Sequence, residues 1–528
     1  MQVISHRFLS RLARSWVQAA VTVLCLAPIL SIAREVPLTI ICTTDLHGHV
    51  LPCADYEGNR DVGGLLRCAS AILDSRERYP NVLYVDCGDL IQGSAESYLS
   101  RGRVMLKALE WLECDAWVVG NHDFDWGVDA LGKLHDEAKM PLLGANVRNK
   151  SGTAPRLPKL RSHVIREVDG LRVALVGLTT PAISSWLTPD FLGGVLFEGS
   201  VDALRRVMPA VKADHPDIIV LLVHQGLGEF QDDHANEIEA IASRFPEIDL
   251  IIGGHTHKVR QGERVNGIPF VQPGYYGNWL GRIALVYDTV RRTLVKCDAE
   301  VIKIGKEWEE CEELRRLLGN ELRKAERYLS KVLSRCEEPL TASHKPPCHC
   351  PVQFLLASAM AEKSGAEVVL QGVFCEESLE AGPVTVADIW RLVPYENRVG
   401  LLSLTAAELR EVLEENALQA GSHRFMGIWG LTYDLDLRAP PGSRVSNLRL
   451  PDGSPLHGRK RMRTAVGSYA LASGGGRYPV LNALSRKPES RLEITDIDTR
   501  TAVIEYVGKR RRLEVRPCGG TMMKPGSE

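Results

Sequence analysis

Residues 38–49 read LTIICTTDLHGH, an apolar, β-branched run that ends directly in two residues able to bind a metal ion, Asp45 and His47. Most of the apolar runs in the first half of the chain are continuous, as in strands covered on both faces. In chain order they are Leu38 to Thr44, Val82 to Cys87, Ala116 to Gly120, Val173 to Leu178, Ile218 to Val223 and Leu250 to Gly253. The helical patterns between them include Val104 to Cys114, Gly127 to Ala138 and Val201 to Ala213. This alternation predicts a layered α/β domain over residues 34–305.

Residues that bind metal ions follow five of these runs. The candidate ligands are Asp45, His47, Asp89, Asn121, His224, His255 and His257. Because the carboxyl ends of parallel strands meet at one crevice, we expect these side chains to converge there. They offer oxygen and imidazole nitrogen but no thiolate, which suits Zn, Mn or Fe. Seven ligands exceed what one ion needs, so we predict two divalent ions about 3.5–4 Å apart that share Asp89.

Two pairs of these candidates have a spacing of two residues. Side chains at i and i+2 of an extended segment point to the same side, so Asp45 with His47, and His255 with His257, are expected to aim together. Any one of these residues alone is as well explained as a core or capping residue. Their coincidence at five strand ends favours the metal site.

The second half of the chain has a different organisation. From Glu307 to Glu338 the sequence is rich in Glu, Arg, Lys and Leu and lacks Pro, which predicts one long exposed helix. We therefore expect a helical linker over residues 306–349, a second domain over residues 350–515, and a disordered tail over residues 516–528. Within the second domain the patterns predict a helix at Val352 to Lys363, a strand at Glu367 to Leu370 and a helix at Thr405 to Ala420.

The first 33 residues have the pattern of a secretory signal. Arg7, Arg11 and Arg14 precede a mostly apolar run from Val17 to Ala33. This pattern predicts an exported protein, periplasmic or extracellular, with an uncleaved membrane anchor as the alternative. No later segment has the pattern of a membrane span.

Composition excludes several classes of protein. Hydrophobic residues are 45% and charged residues 25% of the chain, which excludes largely disordered, collagen-like and coiled-coil proteins. With 64 Lys and Arg against 66 Asp and Glu, the net charge of −2 gives no reason to expect a nucleic-acid polymer as partner. Export would permit disulfides, whose connectivity the sequence leaves open. Cys348-His349-Cys350 is better explained by disulfide pairing than by a metal.

Five motifs, in this order, resemble the calcineurin-like metallophosphoesterases, specifically the secreted 5′-nucleotidase family. The motifs are Asp45-X-His47, Gly88-Asp89, Gly120-Asn121-His122-Asp123, His224 and Gly254-His255-X-His257. The resemblance implies a four-layer α/β/β/α catalytic domain, a connecting helix and a smaller α+β C-terminal domain that recognises the substrate. It also fits export.

The resemblance assigns roles to individual residues. It implies one metal held by Asp45, His47, Asp89 and His257, and a second held by Asp89, Asn121, His224 and His255. The two ions would lower the pKa of a bridging water and present hydroxide to phosphorus. His122 and Asp125 would form a catalytic dyad, in which the imidazolium stabilises developing charge or protonates the leaving group.

Substrate recognition is where this chain departs from the family. The resemblance implies substrate contacts at Phe425, Gly372 and Asn397, with a position in the core as the alternative for Phe425. However, the family's Asn-X-Gly-Gly-Ile-Arg segment corresponds to Gln371 to Glu376, which ends in a carboxylate rather than a cation. The family's Gly-Gly-Asp-Gly-Tyr segment corresponds to Gly474 to Tyr478, where Gly476 replaces the Asp that binds ribose.

The sequence therefore supports the reaction more strongly than the substrate. We predict hydrolysis of a small phosphate ester, with nucleotides as one substrate class beside cyclic phosphodiesters, sugar phosphates or another small anion. The alternative from another class is a secreted metal-binding or interaction protein without turnover. The oligomeric state and the identity of the metals stay open.

Overall fold

The computed structural model describes residues 34–150, 155–228, 233–458 and 460–525. The predicted signal segment, residues 1–33, lies outside them. Among the described residues, no helix is both long enough and apolar enough to cross a membrane.

The first domain contains two six-stranded sheets. In spatial order the first sheet consists of Thr293–Lys303, Trp279–Asp288, Glu35–Thr43, Val82–Asp86, Ala116–Val118 and Leu142–Leu143. The second consists of Val259–Val265, Ile268–Pro273, Leu250–Ile252, Ile218–Val223, Leu171–Leu178 and His163–Val168. The central strands of each sheet are parallel, and antiparallel strands lie at both edges of the second sheet and at one edge of the first, whose other edge strand, Leu142–Leu143, is parallel. A two-stranded ribbon, Val147–Asn149 with Val195–Phe197, lies beside them.

The two sheets pack face to face, with helices on both outer faces. Alternate residues of each strand, such as Ile40 and Val220, fill the core between the sheets. The outer face of the first sheet is covered by the helices Leu65–Arg78, Arg103–Trp111 and Val128–Glu137. The outer face of the second is covered by Ser200–Ala213 and Ile238–Arg244. These are the four α/β/β/α layers that the sequence predicts, and they explain why the central strands are apolar on both faces.

All six predicted strands are present, with bounds close to those expected. Their distribution differs from the simplest expectation, because the first three lie in the first sheet and the last three in the second. The candidate ligands therefore converge from two neighbouring sheets rather than from the edge of one.

The prediction of a single long helix after residue 306 is wrong. Two short helices, Glu312–Leu317 and Gly319–Leu329, are followed by a strand, Val332–Cys336. The helices are not fully exposed, because Leu314, Leu318 and Leu322 join the core of the first domain. Val332–Cys336 is a strand because it finds partners far away in the sequence, at residues 382–385 and 512–513.

The second domain is built on a five-stranded sheet. In spatial order its strands are Ile428–Trp429, Val368–Leu370, Arg461–Gly467, Arg398–Thr405 and Glu493–Asp498. Its helices are Pro351–Ser364, Val386–Leu392, Ala406–Ala417, Ser468–Leu471, Pro479–Ser485 and Thr499–Gly508. Two of these helices begin with a capping box, Thr385 with Asp388 and Thr405 with Glu408, which satisfies the free N–H groups of the first turn.

The prediction of a disordered tail over residues 516–528 is also wrong for the described part. Gly520–Met523 forms a strand that pairs in parallel with Thr432–Leu435. A third strand, Val445–Arg449, completes this small sheet. The segment is short and begins with glycine, so its sequence does not predict a strand. It is ordered by main-chain hydrogen bonds to a strand that is distant in the sequence. Residues 526–528 lie outside the described residues.

The two domains contact each other beside the crevice at the strand ends. The backbone N–H of Gly475 and the hydroxyl of Ser473 both donate to the carbonyl of Ser185, at 3.0 and 3.2 Å. The guanidinium of Arg398 lies 4.6 Å from the ring centroid of Phe191. The glycine-rich segment that departs from the family pattern thus lies against the first domain.

The cysteines make no disulfide among the described residues, where all twelve are free. Cys42 and Cys87 are buried in the core, as their apolar surroundings predict. The thiols of Cys348 and Cys350 both donate to the carbonyl of Ser343, at 3.2 and 3.4 Å.

Candidate metal centre

Six of the seven predicted ligands form two adjacent groups at the strand ends. One group is Asp45, His47 and His257, and the other is Asp89, His224 and His255. Within each group the ligand atoms lie within 4.8 Å of one another. The seventh predicted ligand, Asn121, places its Oδ1 3.2 Å from His224 Nε2 and so belongs with the second group.

Asp89 lies between the two groups. Its Oδ2 is 3.1 Å from His224 Nε2 and 3.7 Å from His47 Nε2, so one oxygen faces a histidine of each group. In the first group, Asp45 Oδ1 lies 3.3 Å from His257 Nε2. A carboxylate placed in this way can bridge two cations.

The outer nitrogens of two of the histidines are already bonded. His47 Nδ1 donates to the carbonyl of Gln92 at 3.0 Å, and His224 Nδ1 donates to the carbonyl of Cys87 at 2.8 Å. Each of these two rings therefore turns the lone pair of Nε2 into the site. This is the arrangement by which proteins orient metal-binding histidines, and the donor set of nitrogen and carboxylate oxygen fits two divalent ions.

The backbone at the ligands is in an uncommon conformation. Asp45, His47, Asp89, His255 and His257 all have positive φ, between 47° and 72°. A side chain with left-handed backbone costs of order 1–3 kcal/mol, and such residues cluster at functional sites. The paired ligands therefore aim into the crevice through left-handed turns and not through the extended segments expected from their spacing.

Glycine is required where the strand ends approach each other. A Cβ on Gly120 would lie 2.2 Å from Asp89 Oδ1, and one on Gly254 would lie 2.2 Å from Thr44 Oγ1. No side chain fits in these gaps, so the glycines of the motifs allow the ligand-bearing loops to pack together.

Burial and charge set the protonation of the site. Burial lowers the pKa of His47 to about 3 and that of His255 to about 4, so both rings are neutral at pH 7, the form that binds a metal. For His224, burial is outweighed by the carboxylates of Asp89 and Asp45, which raise its pKa to about 9. A metal ion bound at Nε2 would therefore displace a proton from His224.

The predicted dyad is formed next to the ligands. His122 Nδ1 lies 2.8 Å from Asp125 Oδ2, and the His122 ring centroid lies 5.2 Å from that of His47. Burial opposes the charged ring, but Asp125 and then Asp89 outweigh it and raise the pKa of His122 to about 10. The neighbouring Asp123 joins two ligand-bearing loops, because its carboxylate accepts hydrogen bonds from the backbone N–H groups of Leu90 and Gly120.

Sequence reasoning missed Tyr56, which contacts the first ligand group. Its hydroxyl lies 2.9 Å from His257 Nδ1 and 3.1 Å from the hydroxyl of Tyr276. Its ring stacks on Tyr275, with centroids 4.4 Å apart. Tyr56 is in a loop 201 residues from His257, and no local pattern links the two.

The predicted substrate contacts fare differently from the ligands. Phe425 has no exposed surface and lies in the core of the second domain, so the expectation that it stacks on a substrate is not met. Gly372 is also buried. A Cβ at this position would lie 2.9 Å from the carbonyl oxygen of Phe425. The carbonyl of Asn397 accepts the backbone N–H and the hydroxyl of Thr499, while the residue is partly exposed.

Two family models match the chain, one for each domain. Residues 38–259 match the calcineurin-like phosphoesterases, and residues 332–483 match the 5'-nucleotidase C-terminal domain. The second match begins at the first residue of the strand Val332–Cys336.

Two curated relatives from Bacillus subtilis align with nearly the whole chain. Endonuclease YhcR is 25% identical over 90% of the chain, and the trifunctional nucleotide phosphoesterase protein YfkN is 24% identical over 94% of it. The chain spans about two fifths of the length of each, at 40% and 39%.

The solved structures show the same fold. The 5'-nucleotidase precursor from Thermus thermophilus is 23% identical, with a TM-score of 0.71 over 93% of this chain and all of that one. Its likeness extends over both domains. The chain therefore combines an N-terminal calcineurin-like phosphoesterase domain with a C-terminal 5′-nucleotidase-type domain.

Proposed function

We propose that the protein hydrolyses small phosphate esters at a site that holds two divalent metal ions. The observation that carries this proposal is the position of Asp89 Oδ2, which faces His47 of one ligand group and His224 of the other. Two divalent ions, one at each ligand group, would supply an activated water at neutral pH and neutralise the charge of the phosphoryl oxygens. Zn, Mn and Fe all suit the ligands.

The residues of the chain then have separate tasks. Asp45, His47 and His257 would hold one ion, Asn121, His224 and His255 would hold the other, and Asp89 would serve both. The carbonyls of Gln92 and Cys87 fix the rings of His47 and His224, so that only Nε2 of each ring points at the ions.

His122 is the proposed catalytic acid. Asp125 accepts its Nδ1–H, which leaves the opposite edge of the ring free to face the substrate. The raised pKa keeps His122 protonated at neutral pH, so it can stabilise charge on the phosphoryl group or donate a proton to the leaving oxygen. A site that only stored metal would need neither residue.

Nucleotides are the substrate class that we favour. The second domain matches the C-terminal domain of 5′-nucleotidases, and the name of the relative YfkN describes a nucleotide phosphoesterase. The glycine-rich segment of the second domain lies beside the site, since a Cβ on Gly475 would lie 2.8 Å from the Trp186 indole, and the ring of Trp186 is 5.3 Å from that of His255.

A second candidate is hydrolysis of phosphodiesters or other small esters without recognition of a base. It is favoured by the burial of Phe425 and by Gly476, which has no side chain to bind ribose hydroxyls. Under this candidate the first domain performs the same reaction, and only the group beyond the phosphate differs.

We also propose that the protein is exported to the periplasm or the exterior. The proposal rests on the arginines and the apolar run of residues 1–33.

The proposal is tested by metal analysis and a hydrolysis screen of purified residues 34–528. The substrates are 5′-nucleotides, 2′,3′-cyclic nucleotides, sugar phosphates and bis-p-nitrophenyl phosphate, each with added Mn or Zn. We expect two ions per chain and turnover of at least one nucleotide. Turnover of only the esters without a nucleoside would favour the second candidate. Two bound ions without turnover of any ester would contradict the proposal that the protein is an enzyme.

A further inference from the structure

A buried carboxylate from the second domain reaches the loop that carries the dyad. Glu396 lies in the segment Pro394-Tyr395-Glu396-Asn397, directly before the strand Arg398–Thr405. Its side chain is only 5% exposed. One carboxylate oxygen faces Arg500 and the other faces Trp126, so the side chain joins the two domains.

Arg500 is held in place from several sides. It is 2% exposed, and its Nη1 lies 3.3 Å from Glu396 Oε1. Its Nε and Nη2 donate to the carbonyls of Val393 and Pro394, at 2.7 and 2.8 Å. Its guanidinium lies 3.6 Å from the ring centroid of Trp390. A charge fixed in this way determines where the Glu396 carboxylate lies.

Trp126 is the other partner of Glu396. Its indole Nε1–H donates to Glu396 Oε2. Trp126 directly follows Asp125, in a compact loop in which Asp125 N–H donates to the carbonyl of His122 at 3.1 Å. The chain of contacts therefore runs from Arg500 through Glu396 and Trp126 to the backbone of the dyad.

Removing two charges from water is costly, and an ion pair buried in this way adds little net stability. A glycine at the same turn would avoid that cost. If the ion pair of Glu396 and Arg500 stabilised only the second domain, it would need no contact with the first. The second carboxylate oxygen of Glu396 nevertheless binds Trp126 of the first domain.

We propose that Glu396 is a positioning residue, which acts through Trp126 to hold the loop of His122 and Asp125 in its reactive orientation. This inference rests on the proposed function of the dyad. It implies that docking of the second domain sets the geometry of the acid in the first. Among the described residues the side chain of Glu396 bonds to Arg500 and Trp126 and to none of the candidate metal ligands.

The variants that test this are Trp126→Phe, Glu396→Ala and the double variant. Trp126→Phe keeps an aromatic ring but removes the N–H donor, and Glu396→Ala removes the acceptor. Glu505→Gln is the matched control, because Glu505 pairs with Lys363 at the surface of the second domain alone. All are made in residues 34–528 with metals bound.

Steady-state kinetics on a phosphate ester with an alkoxide leaving group, the 5′-nucleotide or sugar phosphate that the wild type hydrolyses, is the first measurement, because an alkoxide needs the proton that the acid donates. We expect kcat to fall about tenfold in each single variant, with KM changed less than about twofold, because the group that misaligns is the acid and not a binding residue. The double variant should lose no more than either single variant, since both remove the same contact. An unchanged kcat in both single variants, or a fully additive loss, would overturn the inference.

Hydrogen–deuterium exchange of the same proteins is the second measurement and needs no activity. We expect faster exchange of the amides at residues 122–127 and unchanged exchange in the strand Val82–Asp86. Faster exchange in both segments would mean that Glu396 supports the fold, and unchanged exchange in both would mean that it does not hold the loop. Either result overturns the inference. If the wild-type protein hydrolyses no ester, the proposed function fails, while the exchange data still decide whether Glu396 holds the loop.

Discussion

His47 Nε2 and His257 Nε2 lie 3.1 Å apart, although 210 residues separate the two histidines in the sequence. Two ring nitrogens at this distance repel each other unless a proton or a cation lies between them. Because His47 Nδ1 already donates to Gln92, the lone pair of His47 Nε2 faces His257 and can accept a proton or bind a cation. This contact joins the end of the first strand of one sheet to the loop after the third parallel strand of the other.

Replacement of Asp125 by Asn separates catalysis from metal binding. Asn keeps the shape of the side chain but removes the charge that keeps His122 protonated and oriented. We expect kcat to fall about 10²-fold with both metals retained, as measured by steady-state kinetics and elemental analysis of the same sample. An undiminished kcat would contradict the role of the dyad.

Replacement of Asp89 by Asn tests the bridge. The amide cannot serve two cations as a carboxylate does, so we expect bound metal to fall from two ions to one or none per chain. Inductively coupled plasma mass spectrometry gives the count, with Asp125→Asn as the control that should keep both ions. Two tightly bound ions in Asp89→Asn would show that the two groups bind independently.

Tyr56→Phe tests the residue that the sequence did not reveal. The phenyl ring preserves the stacking on Tyr275 but removes the partner of His257 Nδ1. We expect metal affinity to fall about 10-fold or more, since partners that orient a ligand have effects of about 10–100-fold. Competition with a chromogenic chelator measures it, and Tyr79→Phe, whose ring contacts Arg282 away from the ligands, should bind as the wild type does.

Phe425→Ala distinguishes a core residue from a substrate contact. Because Phe425 is fully buried, we expect a loss of about 3–5 kcal/mol in the free energy of unfolding. Denaturant titration gives this value. In protein that remains folded, KM for nucleotides should stay near that of the wild type. A stable variant with a strongly raised KM would restore the stacking role.

Asp86→Asn tests how the free energy of unfolding depends on pH through Asp86, the last residue of the strand Val82–Asp86. Burial raises the pKa of Asp86 to about 8, despite the hydrogen bonds it accepts from the Thr43 hydroxyl and Gly88 N–H. At a pH between the pKa of an unfolded Asp, about 3.9, and the raised pKa of Asp86, the folded protein binds one proton more at this carboxyl than the unfolded chain does. The associated stability is therefore complete below about pH 3.9 and is lost as the pH rises through about 8.

The measurement is the free energy of unfolding of metal-free protein at about pH 5 and about pH 8. We expect it to fall with pH in the wild type and to fall less in Asp86→Asn, by up to about 1.4 kcal/mol per pH unit. Equal slopes in the two proteins would mean that Asp86 is ionised throughout. The metal-free state is used because bound ions add a pH dependence of their own.

The clustering of the candidate ligands was predictable because each follows a strand, and strand ends are visible in the sequence. Asp45, Asp89 and His224 come directly after, or close after, apolar runs that the structure places in the two sheets. The long helix after residue 306 was wrong because its end depends on a partner strand at residues 382–385. The contacts of Tyr56 and Glu396 were not predictable, since each joins segments with no shared local pattern.

The sequence by itself determined six of the strands and three of the helices of the first domain, the candidate ligand types at five strand ends and the resemblance to a family. These features depend on local periodicity and on residue chemistry, which can be read along the chain. Only the tertiary structure decided that the strands divide between two sheets, that Asp89 lies between two ligand groups, that Phe425 is buried, and that Glu396 reaches Trp126. Such relations depend on the packing of distant segments, and packing is set by the whole chain and not by any stretch of it.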